Sequence, residues 1–290
     1  MPDNFHDPFR TPEIHAGGLI ARLVELALDE DIGPGDLTTE ATMGPCDTGK
    51  AVILAGEPLV VAGLFVAERV FSVLDEKVGF RHVAKDGDYV QKGEVLAEIS
   101  GRMRPLLTGE RTALNFLQRL SGVATHVRKF MADVPPGSLK VLDTRKTTPG
   151  FRVLEKYAVR VGGGSNHRMG LYDGVLIKDN HVTACGGVAE AVRRVRRVSP
   201  HTIKIEVEAD TLEQVAEALE AGADAILLDN MDDATIGQAV AINKGRALLE
   251  VSGGITASRL AALSTLGVDM ASAGALTHAA ISVDIKMDIL

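Results

Sequence analysis

The sequence predicts an α/β protein, with a mixed N-terminal region followed by a (β/α) barrel of parallel strands. Three observations predict it. Short apolar runs recur at Val141–Leu142, Gly174–Ile177, Ile203–Val207, Ala225–Leu228, Ala247–Val251 and Val268–Ala273. Helical patterns lie between several of them: Val188, Val192 and Val195 share one face, as do Leu212, Val215, Ala216 and Leu219. Strands alternating with helices every ~20–30 residues mean βα units and parallel pairing. Six such runs favour a barrel over a short doubly wound sheet, and 290 residues suit one large barrel or two ordinary domains.

The first half carries no such repeat. From Ile14 to Ile32 the residues Leu19, Ile20, Leu23, Leu26 and Ala27 recur at helical spacing, and Gly33-Pro34-Gly35 stops the helix. Ala51–Leu54 and Leu59–Val61 read as strands, and Gly63–Leu74 as a helix. His82–Ile99 holds two turn signals, Asp86-Gly87 and Lys92-Gly93. Val83–Ile99 looks like half of a biotinyl or lipoyl carrier domain. No modifiable lysine beside Met or Ala follows at a hairpin tip, so the segment reads as a β-hammerhead without the cargo. Asp133–Ser138 is a loop before the first barrel strand.

Composition excludes several function classes. The 39 acids against 31 bases leave a net charge of −8, which argues against nonspecific nucleic-acid binding. Aromatics are 4%, with no Trp, so a base-stacking platform is a poor fit. The longest nearly apolar run, Pro58–Ala67, is too short to span a bilayer. The first fifteen residues lack the apolar centre of an export signal. Cys46 and Cys185 form neither a zinc pattern nor a disulfide framework. A cytoplasmic protein with no membrane or nucleic-acid partner is expected.

In a (β/α) barrel the ligand site collects at the C-terminal ends of the strands. Those ends lead into Asp143-Thr144-Arg145-Lys146, Lys178-Asp179-Asn180-His181, Glu206 and Glu208, Asp229-Asn230, Ser252-Gly253-Gly254, and Ser272-Ala273-Gly274. An Asp or Asn after a strand often only caps the next helix, but polar residues at six exits together point to a site. The last two exits are small and precede possible helix starts, which suits a phosphate. A tight βα turn would use the same residues. Arg111, Arg145, Lys146, His167, Arg168 and Lys178 lie near exits or Gly-rich loops of an otherwise acidic chain. Such a cluster implies a ligand with several negative charges. Arg193, Arg194, Arg196 and Arg197 instead flank a Val stripe and read as a solvated helix face. Glu206 and Glu208 share one strand face. With Asp229 they suit sugar hydroxyls, Mg²⁺ or a cationic transition state. His167, His181 and the cysteines show no metal-ligand spacing, and no nucleophile elbow is visible.

At these residues the chain resembles the quinolinate phosphoribosyltransferase family of NAD biosynthesis. The motifs are Gly109–Gly122 (GERTALNFLQRLSG), Asp143–Gly150 (DTRKTTPG), the Gly162–Tyr172 loop with Asn166-His167-Arg168, Leu176–His181, Ile205–Glu208, Leu227–Asn230 and Val251–Gly254. They fall in family order across roughly residues 15 to 285, and DTRKTTPG is highly specific; Ala279 stands where the family often has Ser.

The resemblance implies an N-terminal α/β sandwich (residues 1–117), an incomplete α/β barrel (118–275) and a tail (276–290) returning to the first domain. It implies a homodimer with shared active sites, in which Arg111, on a helix beginning near Thr108, reaches the second subunit's site. It also implies roles. Arg145, Lys146, His167 and Arg168, next to Thr144, would hold the two carboxylates of quinolinate. Lys178 would contact phosphoribosyl pyrophosphate. Glu208 and Asp229 would serve its ribose and Mg²⁺, directly or through water. The Ser252–Gly254 and Ala273-Gly274-Ala275 loops would hold its 5′-phosphate. Lys146, Glu208 and Asp229 are the implied catalytic residues. A related enzyme acting on another pyridine acid is the main rival, and a dicarboxylate suits the three cations best.

Overall fold

The computed structural model describes residues 13–290, with side chains from Gly18 onward. The segment read above as lacking an export signal lies largely outside the described residues. In chain order the elements begin with α1 (Glu13–Ile32), α2 (Leu37–Thr42), β1 (Thr48–Ala55), β2 (Leu59–Val60), α3 (Leu64–Leu74), β3 (Gly79–His82), β4 (Tyr89–Val90), β5 (Val95–Arg102) and α4 (Met103–Phe130). There follow β6 (Lys140–Leu142), α5 (Arg152–Val161), β7 (Val175–Ile177), α6 (Asp179–Cys185), α7 (Val188–Val198), β8 (Ile205–Ala209) and α8 (Leu212–Glu220). The chain ends with β9 (Ala225–Asp229), α9 (Asp233–Asn243), β10 (Leu248–Ser252), α10 (Ala257–Leu263), β11 (Met270–Ser272), α11 (Ala275–His278) and β12 (Ile285–Ile289). No described helix is long and apolar enough to cross a membrane.

Two compact units emerge. The first contains the chain through Lys129, residues Thr148–Gly163 and residues Ala279–Leu290. Its sheet has the order β12-β1-β5-β3, with antiparallel pairing throughout. β12 enters this sheet from the C-terminus, Ile53 opposite Met287. Helix α4 begins at Met103, a turn or so before the position expected from sequence. Pro105 is tolerated because the first turn needs no intrahelical N–H donor. Ser121 and Thr125 of α4 are buried for a specific reason: their hydroxyls accept the backbone N–H groups of Ala62 (3.0 Å) and Val60 (2.8 Å). Gly122 is required because a Cβ there would lie 2.1 Å from the carbonyl oxygen of Ile281.

The second unit contains Phe130–Thr147 and Gly164–His278. Six parallel strands form a sheet in the order β6-β11-β10-β9-β8-β7. Cyclic neighbours pair except β6 and β7, so the barrel is incomplete. The outer edge of β6 takes a single parallel bridge instead, Leu142 with Ser165. The connections use conventional caps: Thr211 accepts from Gln214 N–H, Asp232 from Thr235 N–H and Thr256 from Arg259 N–H. The loops after β8, β9 and β10 therefore end at defined places, which fixes their geometry above the strands.

Candidate active site

The strand ends surround a cavity of about 660 Å³, and every residue lining it belongs to the second unit. The β6 exit contributes Thr144, Arg145 and Lys146; the loop beside it contributes His167 and Arg168; the β7 exit contributes Lys178. β8 supplies Glu208, and β9 supplies Asp229 and Asn230. The last two exits supply Ser252-Gly253-Gly254 and Ser272-Ala273-Gly274-Ala275. Arg111 is exposed on α4, in the first unit, and does not line the cavity.

Asp143 anchors the cationic wall. It is fully buried and accepts the backbone N–H of His167 (2.9 Å) and the Asn166 amide (2.5 Å). That ties the Gly-rich loop to the end of β6. On the next residue, burial and then the positive charge of Arg145 push Arg168 below the usual arginine range, opposed by Glu206 and Asp173. Crowded cations that disfavour one another are the electrostatic form of an anion site. Across the cavity Lys178 Nζ lies 2.5 Å from Glu208 Oε2.

The β9 and β10 exits interlock. Asn230 adopts φ 54°, donates its N–H to Ser252 O (3.0 Å) and donates its side-chain amide to Asp229 Oδ2 (2.6 Å). Gly253 has φ 90°, and a Cβ there would lie 2.1 Å from Asn230 Oδ1. Arg259 ties the two loops by donating to Gly253 O (2.9 Å) and Met231 O (2.5 Å). The small residues at these exits thus let one loop seat against the other while lining the cavity.

Three residues meet in the barrel interior. His167 Nε2 lies 3.1 Å from Glu206 Oε2 and 3.6 Å from Glu250 Oε1. The ligand-type atoms of all three fall within 4.8 Å of one another. Glu250 is 1% exposed; burial first, then the charge of Glu206, pushes it up to about 7, against His167 and Ser272.

Sequence reasoning placed Ser272 at a site-lining exit but missed Glu250 and His278 as site residues, although both line the cavity. The signal for Glu250 was present: it stands two residues before Ser252, in phase on the same strand face. His278 sits on α11, a four-residue helix too short to show a periodic pattern. The His167–Glu206–Glu250 cluster was invisible as a spacing because its members come from a loop and two separate strands.

Comparison with known proteins agrees with this geometry. The family description "Quinolinate phosphoribosyl transferase, C-terminal domain" matches residues 123–288, and the corresponding N-terminal domain matches residues 36–121. A probable nicotinate-nucleotide pyrophosphorylase (carboxylating) of Bacillus subtilis is 47% identical over 260 residues, 90% of each chain. The crystal structure of NadC from Streptococcus pyogenes superposes with a TM-score of 0.90 at 42% identity, covering 93% of this chain and 96% of that one. The nicotinate-nucleotide pyrophosphorylase structure from Francisella tularensis gives 0.88 at 37% identity, covering 94% and 96%. With both family domains matched in order across most of its length, this chain belongs to the quinolinate phosphoribosyltransferase family.

Proposed function

We propose that the cavity transfers the phosphoribosyl group of phosphoribosyl pyrophosphate to quinolinate and releases CO₂, forming nicotinate mononucleotide and pyrophosphate for NAD biosynthesis. One observation carries the reading: a single cavity joins a cationic wall (Arg145, Lys146, Arg168, Lys178), two carboxylates and two small-residue loops at adjoining strand exits. That is what a site for two polyanions needs.

Arg145, Lys146 and Arg168 grip the pyridine carboxylates, with Thr144 and His167 alongside. The Ser252–Gly254 and Ala273–Ala275 loops receive the 5′-phosphate, and Lys178 approaches the donor. The pyridine nitrogen forms a bond to the anomeric carbon while the carbon–oxygen bond to pyrophosphate breaks, its electron pair leaving with the oxygen. The ribosyl carbon is cation-like in transit, and Glu208 and Asp229 stabilise it. The ring nitrogen is then positive. It stabilises the electron pair left on the adjacent carbon as CO₂ departs, and that carbon takes up a proton. The chain's main contribution is positioning and charge neutralisation, and no covalent nucleophile is required.

Glu208 and Asp229 fit Mg²⁺. Each offers a hard carboxylate oxygen beyond the one held by Lys178 or Asn230, and Mg²⁺ is commonly held by one or two carboxylates together with substrate phosphates. When bound, the ion neutralises charge on the pyrophosphate. The assembly is a homodimer in which Arg111, exposed on α4, completes the cavity of the second copy. The test is incubation with quinolinate, phosphoribosyl pyrophosphate and Mg²⁺. Nicotinate mononucleotide and CO₂ in equal amounts are the expected products; turnover of nicotinate with no release of CO₂ from quinolinate overturns the reading.

A further inference from the structure

We propose that Glu250 is a positioning residue for the substrate-carboxylate clamp, acting through Glu206: the Glu206 carboxyl holds the ring of His167, the buried Glu250 carboxyl holds Glu206 in place, and His167 sets the backbone of Arg168. The inference rests on the reading that Arg168 grips a substrate carboxylate.

The hydrogen bonds give a direction to the arrangement. The Arg168 N–H donates to His167 Nδ1 at 2.7 Å. An imidazole nitrogen that accepts a hydrogen bond carries no proton, so the ring proton of neutral His167 sits on Nε2. That nitrogen faces Glu206 at 3.1 Å and Glu250 at 3.6 Å. The main chain of His167 is held separately, through its N–H to Asp143 Oδ1 at 2.9 Å. Ring and backbone are therefore both fixed, and Arg168 follows with its N–H bound to the ring and its guanidinium donating to Gly174 O at 3.1 Å.

The same geometry argues against a metal at this cluster, although its donor atoms lie within 4.8 Å. A metal at Nε2 would require the proton to leave that nitrogen while Nδ1 stays occupied by a donor. Packing alone does not explain Glu250 either. A nearly fully buried carboxyl next to a second one is costly, and an apolar side chain of similar volume is often neutral or better in such a place. Its presence is explained if its carboxyl is needed to hold Glu206 against His167. Burial and the charge of Glu206 favour the neutral acid at Glu250, which lets it share a hydrogen bond with Glu206 while still facing Nε2.

The test uses the full-length protein with Glu250→Leu and Glu250→Gln. The Gln amide keeps a donor for Glu206, so its quinolinate KM should stay within about threefold of wild type. Glu250→Leu should raise the quinolinate KM about tenfold, the loss of roughly one charge-assisted hydrogen bond, with the KM for phosphoribosyl pyrophosphate unchanged. ¹⁵N-histidine spectra, with His167 assigned by its absence in His167→Asn, should show protonated Nε2 and bare Nδ1 in wild type and Gln, and a mixture in Leu. A Leu variant with wild-type quinolinate KM overturns the proposal. So does a wild-type His167 protonated on Nδ1, or a shift of its ring signals by stoichiometric Zn²⁺. If the Leu variant does not fold, a tenfold KM rise in the Gln variant overturns it instead. The spectra need no substrate, so they decide the proposal even where quinolinate turnover fails.

Discussion

Two glutamates among the described residues are almost completely buried, and they are buried for opposite purposes. Glu155, on α5 in the first unit, is 0% exposed. Its oxygens accept from Arg119 Nε (3.1 Å) and Nη2 (2.6 Å), from the Thr148 N–H (3.0 Å) and from the Thr148 hydroxyl (2.9 Å). Donors surround the charge, and the result is a fastening between α4, α5 and the segment before it. Glu250, on β10 in the second unit, is 1% exposed and has another carboxyl as neighbour, with no arginine or lysine paired to it among the described residues. A buried carboxylate with donors builds structure; one facing a second carboxylate and a histidine under a ligand cavity orients a site. Burial alone does not separate these cases, whereas the sign of the surrounding groups does.

The largest expected effect breaks the first member of the pair. Glu155→Ala removes the fully buried partner of a half-buried arginine, and removing one partner of a buried pair typically costs about 3–5 kcal/mol. Arg119 retains its bond to Ala280 O (2.5 Å), which favours the lower part of that range. Urea denaturation at neutral pH measures it. A loss no greater than that of Glu250→Ala would erase the distinction drawn here.

The cavity cations should behave in the reverse sense. Arg145 and Lys146 are exposed, so their removal should leave the melting midpoint nearly unchanged. Each loses a charge-assisted contact worth roughly 1.5–3 kcal/mol, or about tenfold or more in quinolinate affinity. Isothermal titration of Arg145→Ala and Lys146→Ala reads this directly, and wild-type quinolinate binding in both would remove the dicarboxylate assignment.

Glu250 sharpens the comparison through pH. Its folded value, about 7, lies above that of an unfolded glutamate, near 4.3. Between those values the native state holds more protons than the unfolded state, so this group makes stability fall as pH rises. The opposite holds for a group held below its ordinary value. Glu250→Gln cannot ionise and should lose this dependence. Its stability relative to wild type should grow from pH 5 to 7 by no more than about 1.4 kcal/mol per pH unit. Parallel stability curves for the two proteins over that window would show that Glu250 is charged throughout.

Much of this was legible in the sequence, for physical reasons that also explain the gaps. Parallel strands buried on both faces read as apolar runs, so all six strands of the second unit were found. Their starts were less exact: β8 begins at Ile205 rather than Ile203 and β11 at Met270 rather than Val268, because an apolar run can begin in the loop before the ladder does. Helix α9 escaped because Ala, Ile and Val surround it without a stripe. β12 escaped because its partner is β1, with Ala55 opposite Ile285, a pairing no local pattern encodes. The strand-exit residues Arg145, Lys146, Lys178, Glu208 and Asp229 were readable, since exit positions follow from the strands. His167 was placed in the cation cluster, but the engagement of both its ring nitrogens depends on Glu206 and on the Arg168 N–H, which only the folded chain brings together.

The smallest expected effect concerns the other arginine cluster. On α7 the sequence places Arg193, Arg194, Arg196 and Arg197 around an apolar stripe, a count of cations that rivals the cavity. The structure shows why the two clusters differ. Arg193 and Arg194 both pair with Glu190 on their own helix, three and four residues away, and Arg196 pairs with Asp224. Helix spacing makes the first two pairs and a loop residue before β9 makes the third; no ligand is needed. Arg193 first, then Arg194, holds Glu190 below the ordinary carboxylate range. Any stability from the pair is therefore present at neutral pH and lost on acidification through the folded value. Solvent and salt screen exposed pairs of this kind. Arg193→Ala and Arg194→Ala should each move the melting midpoint by no more than about 1 °C at physiological salt, and leave quinolinate binding unchanged. A loss of quinolinate affinity in either variant, measured beside Arg145→Ala, would mean that charge count rather than strand-exit placement selects the anion site.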